Sequence, residues 1–300
     1  MDQFINTLFN GLSLTSIILF TSLGLSITFG LMRVINMAHG EFIMIGAYTT
    51  YVVQTIFTHI VPEQFQSWYY IVAIPIAFII SFAIGSILEI TVISRLYGRE
   101  IDSLLATFGI SLILQQLART IFGTQGVNVT APDFLFGGFK IGTITFSYNR
   151  LFIIFSVIMC LGLIWYIMYR SAFGKQIRAV MQNRNMAQCM GINSRRVDNI
   201  TFSIGSGIAG IAGCSISLLG SVDSTLGQNY IVYAFMVVVL GGVGNLKGSI
   251  IGAAIIGFAS IFAENYTSAT LAKAIVLFIV ILFLQKRPQG LFVVKSRNLD

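Results

Sequence analysis

The sequence predicts an all-α fold, a polytopic membrane helix bundle of about 8–10 transmembrane helices, on three observations. Apolar residues fill 56% of its 300 positions and charged residues only 10%, where a soluble domain carries about 25% charged residues to solvate its surface. The apolar positions form long runs that do not alternate, as in IVAIPIAFIISFAIGSIL over 71–88, unlike the short alternating segments of a β-barrel. Lysines and arginines fall mainly between the runs. Backbone groups in lipid must be satisfied within their own segment, so the runs are expected to be helices. Residues 1–300 read as a single transmembrane domain lying in the lipid bilayer.

The first run, 8–31, follows an amino terminus, MDQFINTLFNGL, without the basic stretch of a cleaved signal, so it is expected to be a retained span. The second, 34–57, is interrupted near its start by Asn36, His39, Gly40 and Glu41. The connection 58–67 has no Lys or Arg and is expected outside, as is 124–149 with only Lys140; between them lie the runs 68–94 and 101–123. After the run 150–169, the segment 170–198 carries Arg170, Lys175, Arg178, Arg184, Arg195 and Arg196 against Asp198 alone, which places it in the cytoplasm. Runs at 199–221, 231–244, 249–264 and 268–285 complete the set, and Lys286, Arg287, Lys295 and Arg297 keep the tail inside. About nine spans with the amino terminus outside satisfy every side. The net charge of +7 is thereby a matter of orientation. No basic groove or tail is patterned for nucleic acid.

Two hairpins carry the most information. FGLMRVINMAHGEFIMIGAY (29–48) breaks an apolar run with polar residues, and VVLGGVGNLKGSIIGAAIIG (238–257) breaks another with glycines, Asn245 and Lys247. Interrupted spans in corresponding places of two halves point to a solute pathway between internal repeats. For single glycines such as Gly242 or Gly252, close helix packing explains as much. Glu41 is costly at membrane depth without a partner, and reads first as a structural or gating residue and second as a solute contact. His39 and Glu41 are two apart, so on a continuous helix they would not share a face, and a broken turn is expected. Glu89 and Glu264, near span ends, read as solvated at headgroup level.

The polar segment 171–198 is expected to hold a helix from Lys175 to Met190, ended by Gly191 in a left-handed cap, with Asn193 and Ser194 capping the next helix. Such a helix, stiffly joined to two spans, could carry force from an ATPase; the basic residues would equally suit an interfacial helix on anionic lipid. Catalytic chemistry is not expected. There is no GxxxxGK[ST] loop, HExxH or GxSxG. His39 and His59 make no ligand set, and Cys160, Cys189 and Cys214 have no metal spacing. No cofactor or metal is expected.

Three long stretches, in order, resemble the branched-chain amino acid/urea family of ABC importer permeases: VINMAHGEFIMIGAYTTYVV, RAVMQNRNMAQCMGINSRRVDNITFSIGSGIAGIAG and FMVVVLGGVGNLKGSIIGA. Within it, GAYTTYVVQ (46–54), LLATFGISLILQQLAR (104–119) and FLQKRPQGLF (283–292) look more like the urea permease, so urea or a related small amide is the first expected solute and a branched-chain amino acid the second. Lys247 and Ile231–Phe235 depart from the family pattern. The resemblance implies a multi-pass protein of the bacterial inner membrane, a second homologous permease subunit, two cytoplasmic ATPase subunits and an extracytoplasmic solute-binding protein. It implies alternating access with ATP hydrolysis on the partners, and an ATPase-coupling loop at Arg184, Ala187, Gln188, Met190 and Gly191. The expected pathway residues are Asn36, His39, Glu41, Gln115, Gln116 and Asn245, the amides serving as hydrogen-bonding groups for a neutral solute. A stand-alone channel or secondary carrier is the reading from another class.

Overall fold

In a computed structural model that describes residues 2–32, 35–141 and 144–292, backbone polar groups find their partners in eleven α-helices among the described residues. These are α1 (Asp2–Met32), α2 (His39–Ile60), α3 (Tyr69–Thr91), α4 (Glu100–Phe122), α5 (Tyr148–Arg170), α6 (Ala172–Gln182), α7 (Arg184–Cys189), α8 (Ser194–Ser217), α9 (Leu226–Gly241), α10 (Leu246–Glu264) and α11 (Ala269–Lys286). Each of the nine apolar runs has its helix. Seven of these helices, α1, α3, α4, α5, α8, α10 and α11, are long and apolar enough to cross a membrane. The other two of the nine are α2, whose first residues are polar, and α9, which has only 16 residues. Lys295 and Arg297 of the tail lie outside the described residues.

Helices α1 and α8 form the centre and bury most of their length, whereas α3, α4, α5 and α11 bury less than a third of theirs and present Ile, Leu and Phe outward. That inversion is what lipid as a solvent demands. The central contacts are made by backbone. A Cβ placed on Gly46 would run into the Gly210 carbonyl of α8, and one on Gly24 into the Gly205 carbonyl. In lipid there is no hydrophobic drive between helices, so such close approach supplies the packing energy. The glycine spacing of SIGSGIAGIAG therefore encodes where α8 crosses α1 and α2.

Two local features differ from expectation. Within 124–149 the chain makes an antiparallel hairpin of β1 (Gly138–Ile141) and β2 (Ile144–Ser147), with Phe139 and Phe146 stacked at 5.1 Å between centroids. The expected single helix 175–190 is two helices, α6 and α7. Asn183 breaks it, in extended conformation, because its side-chain oxygen caps α7 by accepting from Met186 N at 3.0 Å. The end of α7 matches expectation. Gly191 has φ +82°, Ile192 N donates to Ala187 O at 3.0 Å and Gly191 N to Gln188 O at 2.9 Å, a Schellman closure. Asn193 then caps α8 through Arg196 N.

Candidate solute pathway

A break is present at 35–38 and lies deep, but His39 and Glu41, expected within it, are in the first turn of helix α2. After α1 ends at Met32 the chain turns back, and His39, the first residue of α2, places Nε2 3.1 Å from the Thr21 carbonyl of α1. Thr21 stands eleven residues before the end of α1, which at 1.5 Å per residue is about 16 Å. That is roughly half the thickness of a bilayer core. The carbonyl can only accept, so His39 carries its proton on Nε2 and leaves Nδ1 as a buried acceptor without a partner.

Three buried side chains cluster in this turn. Asn36 Oδ1 accepts from Ala38 N at 3.0 Å, closing the turn, and its Nδ2 has no partner. Glu41, only 1% exposed, sits in the first turn of α2, where the helix dipole favours an anion. Its Oε1 accepts from Ser111 Oγ at 2.7 Å and from Gln115 Nε2 at 2.8 Å, while Oε2 is buried without a partner. On the α4 side Thr107 Oγ1 accepts from Met37 N at 3.1 Å. Ser103, Thr107, Ser111, Gln115 and Arg119 follow one another at every fourth residue. They form a polar stripe along a mainly apolar helix. Only Gln115 of the stripe was expected to matter. The period-four pattern in SLLATFGISLILQQLAR was the signal for Ser111 and Thr107.

A second helix start meets the first. The segment 218–225 returns inward after α8, anchored where Val222 and Val127 exchange backbone hydrogen bonds at 2.8 and 2.9 Å. Helix α9 then begins at Leu226, and Gly227 packs against the backbone of Gly40 so closely that a Cβ on either would strike the other's carbonyl. Neither helix start has a side-chain cap. The amides of His39, Glu41, Leu226 and Gln228 pair with backbone carbonyls of the preceding turns, so what converges beside Glu41 is the positive dipole end of two helices.

Of the expected pathway residues, the structure brings together Asn36, His39, Glu41 and Gln115. Gln116 is one position round the helix from the stripe and exposed on the bundle's outer face. Asn245 is the cap of α10, its Oδ1 accepting from Lys247 N and Gly248 N at 3.1 and 3.3 Å, so a fold role accounts for it. The second hairpin turns tightly at 242–245 against Gly30, near the end of α1. Glu89 is not solvated: it is 2% exposed and bonded to Tyr97 and Asn199. In the coupling loop Ala187 is 4% exposed and packs into the chain's own core. Gly191 lies beyond the helix end, so the two do not share an outward face. Arg184 bonds Asp198, and Gln188 Nε2 donates to Ser194 Oγ at 2.6 Å. The outward-facing residues are Met186 of α7 and, as expected, Met190 at its C-terminal cap, four apart, at 65% and 81% exposure. Cys160 and Cys214 are buried and Cys189 is exposed.

The family model for the branched-chain amino acid transport system permease component matches residues 7–284. The high-affinity branched-chain amino acid transport system permease protein LivH of Salmonella typhimurium is 30% identical over 298 residues, covering 96% of this chain and 95% of the relative. LivH of Escherichia coli K12 is 28% identical over 299 residues with the same coverage, and BraD of Pseudomonas aeruginosa 26% over 295. No solved structure matches the chain. With nearly its full length aligned and its helices apolar enough to cross a membrane, the chain belongs to the branched-chain amino acid transport system permease family, as a multi-pass inner-membrane permease subunit of an ABC importer.

Proposed function

We propose that the chain carries a branched-chain amino acid inward, paired with a second homologous permease, driven by two cytoplasmic ATPase subunits and supplied by an extracytoplasmic solute-binding protein. The observation that carries the reading is Glu41, a buried carboxylate with one free oxygen beside two uncapped helix starts. A zwitterion needs an acceptor for its ammonium group and donors for its carboxylate, and helix starts supply such donors. Urea can donate N–H hydrogen bonds to a carboxylate but brings no positive charge to offset its burial. The urea expectation rested on three short stretches, whereas the full-length relatives carry branched-chain amino acid names. Asn36, His39 and Gln115 position Glu41 and the turn around it. Met186 of α7 and Met190 at its C-terminal cap, flanked by exposed Arg195 and Arg196, offer the face for the ATPase.

The test is labelled uptake in cells lacking this chain and in cells given it back. Leucine uptake should return and be competed by excess isoleucine or valine, and urea uptake should not change. Urea uptake restored without leucine uptake would return the solute to the first expectation. Uptake that survives inactivation of the partner ATPase would favour a stand-alone channel or carrier.

A further inference from the structure

Five side chains from three helices and one turn close a ring at the end of the bundle that carries α6 and α7. Arg184, the first residue of α7, bonds Asp198 of α8, and its guanidinium lies 4.9 Å over the ring of Tyr97 in the turn between α3 and α4. Tyr97 OH donates to Glu89 Oε1 of α3 at 2.7 Å. Asn199, next to Asp198 in α8, donates to Glu89 Oε2 at 3.0 Å and to the Ser86 carbonyl at 3.1 Å, and accepts from Ser86 Oγ at 3.0 Å. Both carboxylates are withdrawn from water, Asp198 at 0% and Glu89 at 2% exposure.

We propose that this ring is a force-transmitting joint, in which Tyr97, Glu89, Asp198 and Asn199 are positioning residues that make α7 and the adjoining ends of α3 and α8 move as one body. The inference rests on the importer reading above. Helix α7 does not need the ring merely to be held: it has its own cap at Asn183, its Schellman closure at Gly191 and its buried Ala187. Two carboxylates buried against one guanidinium are costly, and such groups contribute alignment more than stability. The planar guanidinium suits alignment, since it can stack on Tyr97 and bond Asp198 at once, which a lysine cannot. The route onward is short. Asp198 and Asn199 lie about two helical turns before Gly205, which packs on Gly24 beside His39. A displacement of α7 by an ATP-hydrolysing partner therefore arrives, through α8, at the re-entrant turn that holds Glu41.

The experiment uses the whole importer in proteoliposomes and measures solute delivered per ATP hydrolysed together with the amount of assembled complex. Tyr97→Phe keeps the ring under Arg184 and deletes one hydroxyl. Transport per ATP should fall about tenfold, the usual weight of a hydrogen bond to a charged group, with assembly and basal hydrolysis unchanged. Arg184→Ala should lower assembly by stranding Asp198. The double variant Arg184→Ala with Asp198→Ala should regain assembly without regaining the ratio. A wild-type ratio in Tyr97→Phe or in the double variant overturns the joint. So does a loss of uptake matched by an equal loss of assembled complex, which would make the ring a simple staple. Wild-type protein that imports without consuming ATP defeats the importer reading instead, and is read from the same traces.

Discussion

The hairpin joining α1 to α2 and the hairpin joining α9 to α10 both break an apolar run with glycine and polar residues, yet the chain does opposite things at them. In the first, the backbone turns back into the bundle, and α2 starts level with Thr21 with Asn36, His39 and Glu41 buried around it. In the second, the chain turns at once through Gly242 (φ +100°) and Gly244 (φ +77°), and Asn245 starts α10 without re-entry. The inward partner of α2 is the start of α9, sixteen residues earlier than the glycine turn that the sequence advertises. A polar interruption shows that a helix stops. The depth at which it resumes depends on how many residues the connection has and on what waits to accept them. The first connection has enough chain to reach Thr21 and finds a polar stripe on α4; the second is too short to go anywhere.

The largest effects belong to the deep turn. Glu41→Ala removes a buried acceptor of two hydrogen bonds from α4, and amino-acid uptake should fall by roughly a hundredfold or more while the protein remains in the membrane. Labelled leucine uptake normalised to membrane abundance checks it, and uptake within a few-fold of wild type would remove Glu41 from the pathway. Next comes a contrast between neighbours. Gln115→Leu should cost about tenfold in uptake, because Glu41 loses a donor, while Gln116→Leu, on the outer face, should leave uptake unchanged. Equal effects at both positions would mean that the α4 stripe is not the polar wall of this turn.

How much of this was legible in the sequence follows the physics of each level. All nine runs became helices because burial in lipid leaves a long apolar segment no other solution. The break ahead of α2 was legible because polar residues interrupted a run, though it ends before His39, and the Gly191 and Asn193 caps were legible because their chemistry is local. What escaped depended on distant partners. Ala187 was expected in the ATPase-coupling loop, and it lies there, but on the short helix that begins after Asn183 its side chain packs into the core. Glu89 looked like a headgroup residue until Tyr97 and Asn199, 8 and 110 positions away, closed around it. Asn245 carried the right chemistry for a pathway but spends it on the two amides that follow it.

A middle-sized effect tests the meeting of the two helix starts. A methyl on Gly40 would strike the carbonyl of Gly227, so Gly40→Ala must push α9 away from α2. Overpacking of this kind costs typically about 1–3 kcal/mol. The expected outcome is a lower melting temperature in detergent together with a several-fold loss of uptake, since the displaced start of α9 borders Glu41. The matching change in the second hairpin, Gly252→Ala, meets the Val237 carbonyl at 2.9 Å and Gly241 N at 3.3 Å, away from Glu41, and should lower stability without changing uptake per folded molecule.

The smallest effect is expected at Asn245, and it sharpens the comparison most, because sequence alone assigns it the same role as Asn36. Its Oδ1 accepts from two amides at the start of α10, and its side chain is only half-buried. If capping is all it does, Asn245→Ala should destabilise the protein by about 1 kcal/mol and leave uptake per folded molecule within about twofold of wild type. Asn245→Ser, which keeps a cap oxygen, should recover most of that stability. Asn245→Asp should recover it as well, since a carboxylate at a helix start also meets the dipole favourably. Asn36 must behave differently: its oxygen closes the turn, but its amide nitrogen is the buried donor left unpaired, so Asn36→Ser, which keeps an oxygen and removes that donor, should retain folding and still lose uptake. Parallel behaviour of the two asparagines would mean that both hairpins line the solute's route, and that the tight turn at 242–245 opens during transport.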